Sequence, residues 1–444
     1  MTQTYKYLHF VNHKTFLLWD IKRYFMTQIA SSHTIVRLGD FIKEEGVKYN
    51  ISDKTKTYGI LGVNNQSGIF DAYEELGAKI KQKYKKMQVG WIAYNPYRIN
   101  VGSIGMRKEE HHYEYISPAY VVFSCKEGLN PEYLFLLMKT ELFNKIIREN
   151  TTGSVRQNLN YFILSNLQIP LPSLEEQNKI VAAYNTAIDQ VDILSAQAQN
   201  IDEQIQNYIQ KELGIVSKQE KKNNQLKGFL HIFNFHQLWN RWDMLNNSSA
   251  VFDMLSNSKY QIATIGSAFK CVMRSWKKEG TTFNYIEMGC VNPAYGIIES
   301  QTIETKKAPS RATQIVHAGD LIIGTTRPYL KRFAMVTEQY HNNVCSSAFQ
   351  VIAPDKTYNL NFLHEFLLTS FAVEQFEHYM TGALYPAITS KDLRKIQIPL
   401  PPLSVQNEIV EHISALRAKQ KHLQQQASDL RTQAQQQFEQ TIFD

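Results

Sequence analysis

A six-residue string occurs twice in this chain. Ile169-Pro170-Leu171-Pro172-Ser173-Leu174 returns as Ile398-Pro399-Leu400-Pro401-Pro402-Leu403, so that residue 398 answers to residue 169 at an offset of 229. The offset persists upstream, where Thr152-Gly153 matches Thr381-Gly382, and downstream, where Gln177-Asn178-Lys179-Ile180-Val181 matches Gln406-Asn407-Glu408-Ile409-Val410. A repeat of this reach describes a duplicated unit. The length of 444 residues agrees, because a single core stops growing at roughly 250–300 residues.

Each proline string is followed by a heptad seam. In the first half Ile180, Tyr184, Ala187, Val191, Leu194, Ala198, Ile201, Ile205 and Tyr208 recur at spacings of four and three, which places them on one face of a long helix. The second half repeats the pattern with Ile409, Ile413, Leu416, Gln420, Leu423, Ala427, Leu430 and Ala434. Ser173 with Glu176 has the spacing of a helix-capping box, and Pro170 and Pro172 keep the helix from extending backward, so the first helix should begin near Leu174. An apolar stripe of this kind needs a covering helix, and the two helices are each other's most economical partners. Paired antiparallel, helices of about 35 residues would be spacers roughly 50 Å long with a globular half near each end. Gln420 stands where the first seam has Val191, and a hydrogen-bonded amide there would specify alignment.

The duplication reaches back to the start of each half. Ile35-Val36-Arg37-Leu38-Gly39-Asp40 is answered by Ile262-Ala263-Thr264-Ile265-Gly266-Ser267, and Trp19-Asp20 by Trp242-Asp243. Short apolar runs such as Val89–Tyr94 and Leu321–Ile323 favour strands, whereas Tyr133–Met138 and Phe362–Leu368 favour helices. The expected fold is therefore two duplicated mixed α/β domains with two long helices pairing as an antiparallel coiled coil. The expected boundaries are 1–173 for the first domain, 174–213 for the first spacer helix, 214–402 for the second domain with its entry segment, and 403–444 for the second helix. Between these landmarks the halves differ sharply, as in Gly62–Gly68 against Met288–Ala294. One scaffold with two polar surfaces suits two binding specificities.

Composition narrows the setting. The four cysteines, Cys125, Cys271, Cys290 and Cys345, form no CxxC pair, which argues against a disulfide scaffold or structural zinc and points to a reducing cytoplasm. No run reaches the length of a membrane span and the first residues lack a signal-peptide pattern. A net charge of +7 leaves room for a local polyanion-binding surface without making the whole chain an indiscriminate cation.

With the Thr-Gly, proline-string and Gln-Asn motifs repeated in this order, the chain resembles the specificity subunit of type I DNA restriction and modification enzymes over nearly its full length. The resemblance implies two target-recognition domains, each reading one half of a bipartite double-stranded DNA sequence, with the paired helices fixing their separation. It also implies assembly with two adenine-methyltransferase subunits and a restriction-translocase subunit. Those partners would use S-adenosylmethionine, ATP and magnesium, while this chain would hold no cofactor or metal and perform no catalysis.

Candidate DNA contacts follow from the chemistry that phosphates and base edges require. In the first half they are the run Lys81, Lys83, Lys85 and Lys86 and the segment Asn95, Tyr97 and Arg98. In the second half they are Lys306, Lys307 and Arg311, followed by Thr325, Arg327, Lys331 and Arg332. Arg327 is placed to read guanine and Lys331 and Arg332 to meet phosphate, with Pro96-Tyr97 and Pro328-Tyr329 in similar positions. The commoner meaning of a lysine run is solvated surface, and that of a Pro-Tyr pair is a turn. Arg156 and Gln157 follow the first Thr-Gly pair, and the segment after the second, Ala383-Leu384-Tyr385-Pro386-Ala387, lacks the chemistry of Arg156, Gln157 and Asn158, so loop geometry is the role both copies share.

Two further patterns read as coincidences. Asn292-Pro293-Ala294-Tyr295 resembles the Asn-Pro-Pro-Tyr motif of adenine methyltransferases, yet alanine replaces the inner proline and no glycine-rich cofactor loop precedes it. His111-His112 are adjacent, which by itself does not converge on a metal. The rivals to the DNA-reading interpretation are a structural adaptor that binds proteins through its two domains, and a specificity subunit of a related non-type-I methylation system.

Overall fold

The computed structural model describes residues 27–51, 53–65, 67–151, 158–215, 251–382 and 384–443. Trp19-Asp20, Thr152-Gly153, Arg156, Gln157 and Trp242-Asp243 lie outside the described residues. By internal contacts the chain divides into two units, Met1–Leu194 with Gln425–Asp444, and Ser195–Gln424.

In the first unit, β1 (Ile35–Arg37) pairs antiparallel with β11 (Gln168–Pro170), so the repeated proline string begins as a strand that closes the domain on its own start. An antiparallel sheet follows in the order β2 (Ile42–Glu44), β10 (Val121–Cys125), β7 (Ile92–Tyr94) and β8 (Ile104–Met106). A second sheet runs β3 (Lys48–Tyr49), β6 (Tyr84–Lys86), β9 (Tyr115–Ile116), β4 (Thr57–Val63) and β5 (Ile69–Leu76), with β4 and β9 parallel. Helix α1 (Pro131–Lys139) starts where the Asn130 side chain accepts from the Glu132 and Tyr133 amides and Pro131 supplies a first residue that needs no donor. Thr140 caps α2 (Glu141–Asn150) in the same way, through the Phe143 amide. Tyr94, Phe123, Tyr133, Leu134, Leu137 and Phe143 form a core with no exposed surface. Helix α3 (Leu174–Leu213) starts directly after the proline string, where Ser173 Oγ accepts from the Glu176 amide.

The second unit repeats most of this plan, without a counterpart of β3. Strand β12 (Ile262–Thr264) pairs with β23 (Gln397–Pro399). One sheet runs β13 (Lys270–Val272), β22 (Phe349–Ala353), β19 (Leu321–Gly324) and β20 (Phe333–Met335). The other runs β17 (Gln301–Glu304), β14 (Thr282–Ile286), β21 (Val344–Ser346) and β18 (Ala312–Ile315), with β14 and β21 parallel. Helices α4 (Leu360–Leu367) and α5 (Ser370–Tyr379) match α1 and α2, and α6 (Leu403–Phe443) matches α3. The copies differ between the first two long strands of this second sheet. In the first domain a turn over Asn64–Gly68 joins β4 to β5, with the Asn64 amide donating to the Gly68 carbonyl. In the second, a hairpin of β15 (Val291–Asn292) and β16 (Gly296–Ile297) is inserted between β14 and β17.

The long helices pack on each other within both units. In the second unit Ala198 meets Gln420 and Tyr208 meets His412, so residue numbers rise along one helix as they fall along the other, and the pair is antiparallel. Ile180, Val191, Ile201, Ile205, Ile409, Ile413, Gln420 and Leu423 are buried, while Tyr184, Leu194, Leu416 and Leu430 keep partial exposure. The Gln420 amide is satisfied, donating to the Ala198 carbonyl and to Asp202 Oδ2 and accepting from Arg417. Beyond Ile205 the buried stripe leaves the heptad frame: Tyr208 is only partly buried, and Ile209 and Leu213 are buried beside it. The other helix likewise ends on Ala434, Phe438 and Ile442. Successive steps of four outrun the 3.5-residue period, so the apolar stripe swings around the helix. In the first unit that swing brings Phe438 against Tyr133 of the domain and Tyr184 of the partner helix, at ring separations of 6.1 and 5.8 Å.

Candidate nucleic-acid interface

The connection between β7 and β8 is a built loop. Asn95 Oδ1 accepts from the Tyr97 amide, the Asn95 amide donates to the Ser103 carbonyl, and the Arg98 amide donates to the Asn95 carbonyl. Arg98 then precedes a single 3-10 turn, Ile99–Val101, which ends on Gly102 at φ 84°. Ile99 is buried, whereas Tyr97 and Arg98 are exposed. An apex anchored at both ends that presents an aromatic and a cation can meet a nucleic-acid backbone or base.

The connection between β19 and β20 has the same construction. Thr325 donates through its amide and hydroxyl to the Ala348 carbonyl, and Arg327 precedes a 3-10 turn over Pro328–Leu330 that ends on Lys331. Arg327 and Lys331 correspond to Arg98 and Gly102 at the offset of 229 that relates residue 327 to residue 98. The expected equivalence of Pro96-Tyr97 with Pro328-Tyr329 is therefore corrected. Pro328 opens the 3-10 turn, Pro96 lies before it, and the matched residues are the two arginines. The constant offset alone contained this signal.

Several candidate cations are already committed inside the protein. Lys85 is 5% exposed, and its ammonium donates to the Tyr120 carbonyl at 2.7 Å. Burial pushes its pKa down, opposed in part by Glu44. The alternation of a strand turns this side chain inward, so Lys85 is not a surface phosphate contact. Lys86 pairs with Glu114 at 2.9 Å, and its ammonium lies over the Tyr115 ring. Lys331 donates to the Leu368 carbonyl at 2.7 Å, at the C-terminus of α4, where the helix dipole favours a cation. Burial lowers its pKa, with Asp202 opposing, and Lys331 too is withdrawn from phosphate duty. Arg332 donates to the Met288 carbonyl, whereas Lys307 pairs with Glu304 at the surface, where both side chains are exposed and the pair does not withdraw the ammonium from a phosphate. Lys81, Lys83, Lys306 and Arg311 are exposed. The lysine run belongs to β6 and its approach, whereas Asn95, Tyr97 and Arg98 follow β7 in the other sheet, so the fold distributes these candidates over two layers.

The remaining patterns resolve into scaffold. Asn292 Oδ1 accepts from the Ala294 and Tyr295 amides, which makes Asn292–Tyr295 the turn of the β15–β16 hairpin. His111 accepts from the Lys108 amide and contacts the Ile69 carbonyl through its other ring nitrogen. Among the described residues no group of three or more His, Cys, Asp or Glu side chains could hold a metal, and no helix is long and apolar enough to cross a membrane. All four cysteines are free, and burial raises the Cys125 and Cys345 thiols to about 12.

Two copies of one α/β scaffold, each ending in a long helix that pairs with the other, define a class of two-domain specificity protein. Residues 32–203 and 259–429 each match the type I restriction modification DNA specificity domain, and the chain belongs to that family as a specificity subunit. The specificity subunit of the type I restriction enzyme EcoDI from Escherichia coli is 23% identical over 348 residues, covering 74% of this chain and 71% of that one. A solved chain from work on complex assembly and conformational transition of the type I R-M system shares the fold, with a TM-score of 0.53 at 15% identity over 94% of this chain and 97% of that one.

Proposed function

We propose that this chain is the DNA-reading subunit of a type I restriction-modification complex, and that each α/β domain contacts one half of a bipartite double-stranded target. The observation that carries this reading is the pair Arg98 and Arg327. Both stand before the single 3-10 turn of an anchored loop on matching scaffolds, while the neighbouring polar surface differs between the copies. A shared frame with a different polar surface suits two distinct half-sites. Exposed Lys81, Lys83, Lys306 and Arg311 supply phosphate attraction, and Arg156 and Gln157 add donors to the first domain. The paired helices set the spacing between the half-sites.

The same reading assigns two adenine-methyltransferase subunits and a restriction-translocase subunit as partners, acting with S-adenosylmethionine, ATP and magnesium in the cytoplasm. The test is methylation mapping at single-base resolution after coexpression with the cognate methyltransferase, with the methyltransferase alone as control. A bipartite motif only in the combined sample supports the proposal. Identical maps despite a verified complex would favour a protein adaptor instead.

A further inference from the structure

Four non-glycine residues adopt positive φ among the described residues, and two of them, Arg327 at 49° and Lys331 at 53°, belong to the β19–β20 loop. Arg327 is the more unusual, because the residue before a proline avoids helical conformations. Such a backbone persists only where its surroundings over-determine it, and it concentrates at binding sites. Here the restraint comes from a second loop. The Thr381 and Ala387 amides and carbonyls exchange two hydrogen bonds of 2.9 Å, closing a tight arch whose Gly382 sits at φ 101°. The Arg327 amide donates to the Pro386 carbonyl at 2.7 Å, so the arch grips the strained residue by its backbone.

The arch also orients the side chain. Arg327 Nη2 donates to the Leu384 carbonyl at 3.1 Å, and the guanidinium lies 5.1 Å from the centre of the Tyr385 ring. Its Nε is enclosed without a hydrogen-bond partner, which closes the side edge of the guanidinium to a ligand. One Nη2 hydrogen is spent on Leu384. The outer edge, formed by Nη1 and the second Nη2 hydrogen, keeps the paired donors that match the O6 and N7 acceptors of guanine in the major groove. Tyr385 and Leu384 are 73% and 82% exposed beside it. An exposed apolar pair flanking a held cation suits a surface that is covered when the ligand arrives.

Resting on the DNA-reading proposal above, we infer that Arg327 is a guanine-reading side chain of the second domain, and that Tyr385 with the Thr381–Ala387 arch is its positioning element. The first domain lacks this device in its sequence. Position 156, which corresponds to Tyr385 at the repeat offset, is arginine, and Arg98 has an unstrained φ of −133°. The Thr-Gly pair is thus repeated in the sequence, but the tyrosine that flanks the base-reading arginine belongs to the second copy alone.

The experiment is methylation mapping with the full chain coexpressed with its methyltransferase, comparing the unaltered chain with Arg327→Ala, Arg327→Lys, Tyr385→Ala and Tyr385→Phe. Arg327→Ala should make one G·C pair of one half-site degenerate, with a loss of discrimination of about tenfold to a hundredfold, and leave the other half-site intact. Arg327→Lys keeps the charge and stem but not the paired donors, so it should relax the same position and carries the test if the alanine variant does not assemble. Tyr385→Ala should weaken selection at that position, and Tyr385→Phe, which retains the ring face, should restore it. Unchanged motifs with both Arg327 variants, or relaxation spread evenly over both half-sites, would overturn the inference while leaving the DNA-reading proposal in place. Absence of any bipartite motif with the unaltered chain would overturn that proposal and this inference with it.

Discussion

The Asn130 amide donates to the Gln177 carboxamide oxygen at 2.8 Å, and at the repeat offset the Asn359 amide donates to Gln406 at 2.9 Å. Both glutamines are fully buried. The asparagine side chains cap the domain helices α1 and α4 and reach Asn178 and Asn407 through their own amides. Each domain is thereby hydrogen-bonded to the first turn of its long helix, and the repeated Gln-Asn pair is a joint rather than a surface motif.

Gln177→Ala should destabilise the protein by about 2–4 kcal/mol, because it strips partners from the Asn130 amide and from the Gly128 and Pro172 carbonyls that the glutamine amide also serves. Gln406→Ala should cost somewhat less, since its amide donates to the Pro401 carbonyl. Urea unfolding of both variants measures this, and a change below about 0.5 kcal/mol for Gln177→Ala would reject the joint.

A close backbone approach is duplicated as well. A Cβ at Gly39 would lie 2.7 Å from the Ser165 carbonyl oxygen, and one at Gly266 would lie 2.8 Å from Arg394 Cβ and 3.1 Å from its oxygen. Gly39→Ala and Gly266→Ala should each cost about 1–3 kcal/mol by overpacking, the first more because a carbonyl oxygen cannot swing aside. Thermal denaturation of the two variants decides the order.

Arg417 Nη2 lies 3.3 Å from Glu365, whose side chain is only 14% exposed, and its Nη1 serves Asp202 and Gln420. Arg417→Met should destabilise by about 1–3 kcal/mol, discounted from a fully buried pair because Arg417 and Asp202 retain solvent. Adding Glu365→Gln should recover part of that loss by removing the stranded charge. A double variant less stable than Arg417→Met alone would contradict the pairing.

The lysine run should separate by salt dependence. Lys81→Gln and Lys83→Gln should each shallow the slope of log affinity against log salt by up to about 0.9, the value of one phosphate contact. Lys85→Gln should leave it unchanged, since that ammonium is enclosed. Lys85 also has an alkaline signature. Its folded pKa lies below 10.5, so between the two values the unfolded chain binds more protons and stability rises with pH. Lys85→Met should flatten that rise in unfolding free energies measured along an alkaline pH series.

The repeat, the two helices and their mutual seam are legible in the residues because each is a matter of spacing along the chain. The seam's exit through Ile209, Leu213, Phe438 and Ile442 is not, since a heptad frame hides steps of four until a partner surface shows which face is covered. Arg98 and Arg327 could be matched by offset, but the conspicuous Pro-Tyr pairs drew the comparison three residues away from them.

Duplication, helix starts at the proline strings and an apolar stripe needing a partner were determined by the sequence itself, because periodicity and capping are local and survive any arrangement of the rest. Which cations remain free was decided only by the tertiary structure. An ammonium such as that of Lys85 or Lys331 is consumed by whichever carbonyl the folded backbone brings to it, here Tyr120 and Leu368, each more than thirty residues away. Residue type specifies a donor, and only the fold specifies its acceptor.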